Sequence, residues 1–164
     1  MEGRNMKRIV FFLLVVCLMM GISAGTASAK TLYLYATSDW SNSSNATWVD
    51  ALSANVKLTQ YNGQCMELRF STEAATAGVD TSPVMLFRAL VDGVPANPAN
   101  IWDFVVFDPS EFDTYDLASF NWFVCGLNVG THTVQIQFQP YYANTAWVRA
   151  GFLAIELKSG KFIY

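Results

Sequence analysis

Charge is scarce in this chain. Of its 164 residues only 14% are Asp, Glu, Lys or Arg, and His132 is the single histidine. So few charges beside 52% hydrophobic residues exclude a disordered acidic or basic tail. Ten glycines and five prolines are too few for a collagen-like chain. With one histidine, histidine-dependent catalysis would have to use His132, and no G-x-S-x-G nucleophile elbow occurs. Cysteine is rare too. Of the three cysteines only Cys65 and Cys125 lie beyond the N-terminal apolar run, and with one histidine these two cannot supply the usual four zinc ligands; no C-x-x-C pair exists for redox work. There is no internal repeat. The length suits one sizeable core and not several domains.

Arg4, Lys7 and Arg8 precede an apolar run over residues 9–20, and small residues follow up to Ala27-Ser28-Ala29. This is the pattern of a secretory signal peptide over 1–29, with cleavage before Lys30. The run is short for a membrane span, so a retained anchor is the lesser reading. A lipoprotein reading through Cys17 is disfavoured by Val16 before it. The remainder, 30–164, is read as one domain with no membrane span, exported outside the cell or to the periplasm. It keeps seven basic and twelve acidic residues, a net charge of −5. Such a chain gains nothing from phosphates, so nucleic acid and anionic membrane are poor partners. An oxidising compartment makes Cys65 and Cys125 the candidate disulfide, although sequence cannot place two thiols within bonding distance.

Period-two alternation recurs along 30–164. Val134, Ile136 and Phe138 alternate with glutamines. Met66, Leu68 and Phe70 form one face of a strand, with Cys65, Glu67 and Arg69 on the other. Met85, Phe87, Ala89 and Val91 oppose Arg88. Phe120, Trp122 and Val124 form a further inward row, and Trp102, Phe104 and Val106 are read as another. Leucine alternates with tyrosine over Thr31–Tyr35. Asp92-Gly93 and Asn62-Gly63 read as tight hairpin turns. Residues 38–45 read as a polar loop, and 46–54 as a short helix or a bent strand. Leu153, Ile155 and Leu157 point inward; continued backwards, their phase would bury Arg149 and Trp147. A bulge at Gly151 resets it, turning Val148 and Ala150 inward and Trp147 with Arg149 outward. The sum is an all-β antiparallel sandwich, jelly-roll-like, of about eight short strands.

Three stretches carry a resemblance: 68–73, Phe87-Arg88-Ala89-Leu90-Val91-Asp92-Gly93-Val94, and Leu127-Asn128-Val129-Gly130-Thr131-His132-Thr133-Val134. Over about 64–157 the chain resembles small exported bacterial domains of jelly-roll type, most without an assigned activity. Related sandwiches occur in carbohydrate-binding modules and in trimeric surface or tail proteins. The matched positions are turns and strands, so the resemblance implies a fold and carries over no catalytic or ligand residue.

The bland reading of His132 is a strand-end histidine bonded to nearby backbone. Asp103, Asp108, Glu111, Asp113 and Asp116 form the densest acidic stretch. Their spacing fits no EF-hand loop, so a solvated loop is preferred, with Ca²⁺ on Asp108, Glu111, Asp113 and Asp116 as the weaker alternative. A pair of them acting in glycoside hydrolysis would need facing carboxylates. No cofactor is called for. Asn42-Ser43-Ser44 and Asn45-Ala46-Thr47 match the glycosylation triplet, and with a bacterial-type leader both are expected to be unmodified.

Aromatic residues are what the chain has in excess: five tryptophans, seven tyrosines and twelve phenylalanines. Trp102 and Trp122 go to the core. Trp40, Trp48, Tyr141, Tyr142 and Trp147 fall in loops or on an outward phase and are the candidate binding residues, with Asn144, Gln137 and Gln139 to bond hydroxyls. The competing account is that these rings close the sandwich or form a subunit contact. The reading is an exported, non-enzymatic module presenting an aromatic surface to a protein or a glycan, self-association included. A carbohydrate-binding module, with or without Ca²⁺, comes second and a small carboxylate-dependent glycoside hydrolase third.

Overall fold

The computed structural model describes residues 31–36, 39–59, 63–77, 84–97, 104–108, 114–141, 143 and 145–158. The leader at 1–29 lies outside them, as do Trp102, Asp103, Glu111, Asp113, Tyr142 and Asn144. Strands account for the regular structure: β1 (Thr31–Tyr35), β2 (Trp40–Asn42), β3 (Val49–Leu58), β4 (Gln64–Ala77), β5 (Val84–Val91), β6 (Val94–Pro95), β7 (Val105–Phe107), β8 (Asp116–Leu127), β9 (Gly130–Tyr141) and β10 (Thr145–Lys158). Among the described residues no helix is long and apolar enough to cross a membrane.

All pairings are antiparallel. The first sheet runs β1-β10-β4-β8, with β2 beside β10 on the β1 side; the second runs β3-β9-β5-β6, with β7 also on β5. Counting β1 with β2, and β6 with β7, as interrupted edges leaves the eight strands of a jelly roll. β4 and β10 are long, at 14 residues each, where the alternation suggested short strands.

The alternating rows form the core. Met66, Leu68 and Phe70 of the first sheet meet Met85, Phe87, Val134, Ile136 and Phe138 of the second, all fully buried. Each such side chain contributes about 2 kcal/mol by leaving water. Trp122 is 1% exposed, as expected. Phe87 is the centre of the aromatic packing, with ring centroids 4.8 Å from Phe120, 6.2 Å from Phe70, 6.3 Å from Phe138 and 6.4 Å from Phe107. Much of the phenylalanine excess is therefore interior.

Several expectations shift. The β7 row is displaced by one residue: Val105 and Phe107 pack on the core, and Val106 is 53% exposed. Asn62-Gly63 does not close a hairpin, because β3 and β4 belong to different sheets; the Gly63 amide donates to the Leu127 carbonyl across the first sheet's end. The polar stretch at 38–45 contains β2, and 46–54 resolves as a strand bent by a bulge between Asp50 and Leu52. Asp92-Gly93 is a two-residue turn, with both φ angles positive at 53° and 79°, joining β5 to β6.

The β10 bulge lies between Arg149 and Phe152, where two residues oppose Thr72. Val148 points inward as expected. Ala150 does not: it is the extra residue, exposed, with φ at 52°. Gly151 takes the inward place instead, where a Cβ would come within 3.0 Å of the Phe70 ring. β10 changes partner at this point. Phe152–Glu156 pair with β1, whereas Ala146–Val148 pair with β2.

Candidate functional site

Tyr33 and Tyr35 come from the phase of β1 opposite to Leu34, which packs on the core, and so stand on the outer face of the first sheet. Phe152, directly opposite Tyr35 on β10, joins them. Its ring lies 5.8 Å from Tyr33, stacked, and 5.0 Å from Tyr35. Tyr33 is 59% exposed and Tyr35 76%, so the three rings form a platform open to solvent. The register continues the platform across the sheet. Phe152 faces Ser71 and then Ser119, whose hydroxyls are 3.0 Å apart; Ala154 faces Arg69 and then Asn121. Arg69 donates to Glu156 at 2.6 Å, and Lys158 bonds Glu67.

Tyr35 also walls a cleft of about 300 Å³ where β1 gives way to β2. Leu34, Ala36, Trp40, Ala51 and Leu52 give the cleft its apolar lining, and Asp50 and Ser53 of β3 its polar side. The Asp50 carboxylate is already held by the Gln137 and Gln135 amides, at 2.7 and 3.1 Å, on the outer face of the second sheet. Arg88 extends that network: its Nε donates to Gln137 at 2.8 Å, and its guanidinium lies 4.1 Å from the centre of the Trp48 ring.

The five rings singled out from sequence are not gathered into one surface. Trp40 is not in a loop; it belongs to β2, is half-buried and packs against the core beside the cleft. Trp48 is half-buried between Arg88 and Phe104. Trp147 is half-buried on the outer face of the first sheet, opposite Ala75, with Arg149 nearby stacked on Tyr115 at 3.8 Å and paired with Glu73. Tyr141 is 41% exposed at the end of β9, and Tyr142 lies outside the described residues. Gln137 and Gln139, expected to serve a ligand, are engaged internally, Gln139 being buried on the Asn45 carbonyl. The platform tyrosines were absent from the sequence shortlist, although their alternation with Leu32 and Leu34 carried the signal. Of the acidic alternative, Asp108 is exposed and Asp116 lies on β8; among the described residues no three His, Cys, Asp or Glu side chains cluster around a metal-sized site. Asn42 is buried, its amide donating to the Thr47 carbonyl at 2.7 Å, which leaves no room for a glycan.

Cys65 and Cys125 are joined by a disulfide between β4 and β8. His132 is a structural pin. Its Nε2 is 2.8 Å from the Asn128 carbonyl and its Nδ1 2.6 Å from Asp92, which also accepts from the Thr133 amide. Burial opposes its charge, but the Asn128 carbonyl and the Asp92 carboxylate outweigh that and raise its pKa. Hydrogen bonds from His132 and the Thr133 amide hold Asp92 below the ordinary carboxylate value of 3.8. The histidine share of this stability is complete below its unfolded pKa of 6.5 and fades as pH rises through the raised folded value. The aspartate share is present above 3.8 and is lost as pH falls through its depressed value. Asp92 is half exposed, so solvent screening holds the pair to about 1 kcal/mol. Asp92→Asn should therefore cost most at about pH 5 and little at about pH 9. Melting curves of both proteins at the two pH values check this; an equal cost at both would dispose of the charged pair.

The architecture is that of the jelly-roll sandwiches. A structure of infectious bursal disease virus, Gt strain, superimposes with a TM-score of 0.50 and 13% identity over 83% of this chain and 35% of the viral chain. The subviral particle of the same virus gives 0.47 and 11%, over 79% of this chain and 33% of that one. A sugar-binding protein, the EclA C-terminal domain, gives 0.36 and 11%, over 83% and 86%. This chain thus spans about a third of the length of the viral chains. These likenesses concern the fold alone. No protein-family model matches the chain, and none of the curated proteins is similar to it in sequence.

Proposed function

We propose that this protein is an exported, non-enzymatic binding module whose outer face at β1 receives a glycan. One observation carries the reading: Tyr33 and Tyr35 are largely exposed, yet both are held in place against Phe152. Flat rings fixed in advance suit the C–H faces of sugar rings and lose little conformational freedom on binding. The flanking Ser71, Ser119, Asn121 and Arg69 offer donors and acceptors for hydroxyl groups. The cleft beside Tyr35 gives a chain end or a branch somewhere to seat.

A glycan array with the purified protein, followed by calorimetry on the best ligand, tests this. Replacing Tyr33 and Tyr35 together by alanine should weaken binding about 30-fold, as expected when an aromatic anchor worth about 2 kcal/mol is lost. Silence across the array, or a double variant that binds like the wild type, would reject the reading.

A further inference from the structure

We infer that β1 is a self-pairing edge, through which two copies of this chain join their first sheets into one continuous sheet about a two-fold axis. The inference goes beyond the glycan reading and does not depend on it. Four observations converge on it.

First, among the described residues β1 has none of the devices that blunt sheet edges. Its sequence, Thr31-Leu32-Tyr33-Leu34-Tyr35, has no charge, no proline and no bulge. The other described edges are protected. Asn97 exchanges main-chain bonds with Phe123 on the outer side of β8. β3 is bent at Asp50 and carries Lys57. β2, β6 and β7 have three, two and three residues.

Second, the backbone has the right parity. The Ala36 amide donates to the Gly151 carbonyl at 2.8 Å, continuing the register in which Tyr35 faces Phe152. Main-chain groups alternate sides along a strand. Leu32, Leu34 and Ala36 therefore direct theirs towards β10, and Thr31, Tyr33 and Tyr35 direct theirs away from it. An antiparallel copy centred on Tyr33 sets Tyr33 against Tyr33 and Thr31 against Tyr35. Each of these pairs is then a hydrogen-bonded one, so all the outward donors and acceptors of the strand are used together.

Third, the side chains are self-complementary under the same operation, as an isologous contact requires. Leu32 comes beside Leu34 of the second copy, covering a leucine that is 38% exposed in the single chain. Fourth, no like charges of the described residues are brought together. Glu156, the charged residue of β10 nearest the edge in this register, lies in a row with Thr31 that continues into the second copy's Tyr35 and Phe152. The rings remain on the outer face, and the two platforms become one.

Sedimentation and light scattering over a range of concentrations, with two variants, test the proposal. The wild type should approach twice the monomer mass. Leu32→Lys keeps the rings and the β10 ladder and places a charge on the edge; it should be monomeric. Tyr33→Pro removes the central outward donor, a position where proline is tolerated because that N–H does not pair with β10; it should be monomeric with an unchanged strand signal in circular dichroism. Should Tyr33→Pro fail to fold, Leu32→Lys still decides. A monomeric wild type, or a Leu32→Lys variant that dimerises as well as the wild type, would overturn the inference. A monomer with its Tyr33 amide protected from hydrogen exchange would place something other than a second copy on the edge, and would overturn it too. Leu32→Lys retains both tyrosines, so its array signal separates the two readings: dimerisation without sugar binding fails the glycan reading alone, and sugar binding by a monomeric wild type fails this one alone.

Discussion

Breaking the bond between Cys65 and Cys125 should lower the free energy of unfolding by about 4 kcal/mol, because the link closes a loop with a sequence separation of 60. The chain-entropy argument behind that figure concerns the unfolded state, whose freedom the link restricts. The folded state adds a topological reason. β8 is the far strand of the first sheet, paired with β4 on one side and bridged by Asn97 on the other. A covalent tie between β4 and β8 therefore fixes an edge strand to the middle of its sheet. Cys125 is exposed, which gives a reductant access, while Cys65 is buried. Urea unfolding with and without reductant, beside a Cys65→Ala, Cys125→Ala variant, measures the loss. A midpoint that does not move on reduction would show that the strand pairing holds β8 without the link.

Phe87→Ala should cost about 3–5 kcal/mol, the range for deleting a fully buried aromatic ring. The ring touches Phe70 and Phe120 of the first sheet and Phe107 and Phe138 of the second, so its removal opens a void at the contact between the layers. Collapse of the neighbours into the gap is opposed because four of them are rings on different strands. Phe87→Leu, which keeps most of the volume, should cost about 1.5 kcal/mol or less. Denaturant titration separates the two variants. Equal losses would mean that the interior accommodates the void and that Phe87 is not its centre.

The sandwich was legible because period-two alternation is imposed by burial of one strand face, and the inward rows of β4, β5, β8 and β9 follow it, as does β10 on either side of its bulge. Strand pairing between sheets was less legible. Asn62-Gly63 has the residues of a hairpin, yet β3 before it and β4 after it belong to different sheets. The β7 row slipped by one because a three-residue strand offers too little pattern to set a phase. The bulge in β10 was readable from the conflict between Arg149 and Leu153, though not which residue would be extruded: Ala150 is, and Gly151, where a Cβ would crowd the Phe70 ring at 3.0 Å, takes the inward place. The candidate site was the least readable. Tryptophans drew attention for their size, whereas Trp40 and Trp48 are half-buried by packing and by Arg88. Among the described residues the two most exposed rings, Tyr33 and Tyr35, are on an edge strand, and their exposure depends on which strand lies at the edge, a property of topology and not of local pattern.

The extra residue in β10 has an implication for how such a recess arises. The change of partner from β1 to β2 and the cleft beside Tyr35 both fall at the level of Ala150 and Gly151. Without Ala150 the alternation of β10 would run unbroken from Ala146 to Leu157. One extra residue in a central strand thus coincides with a handover between two edge partners and with an indentation in the flank of the sandwich.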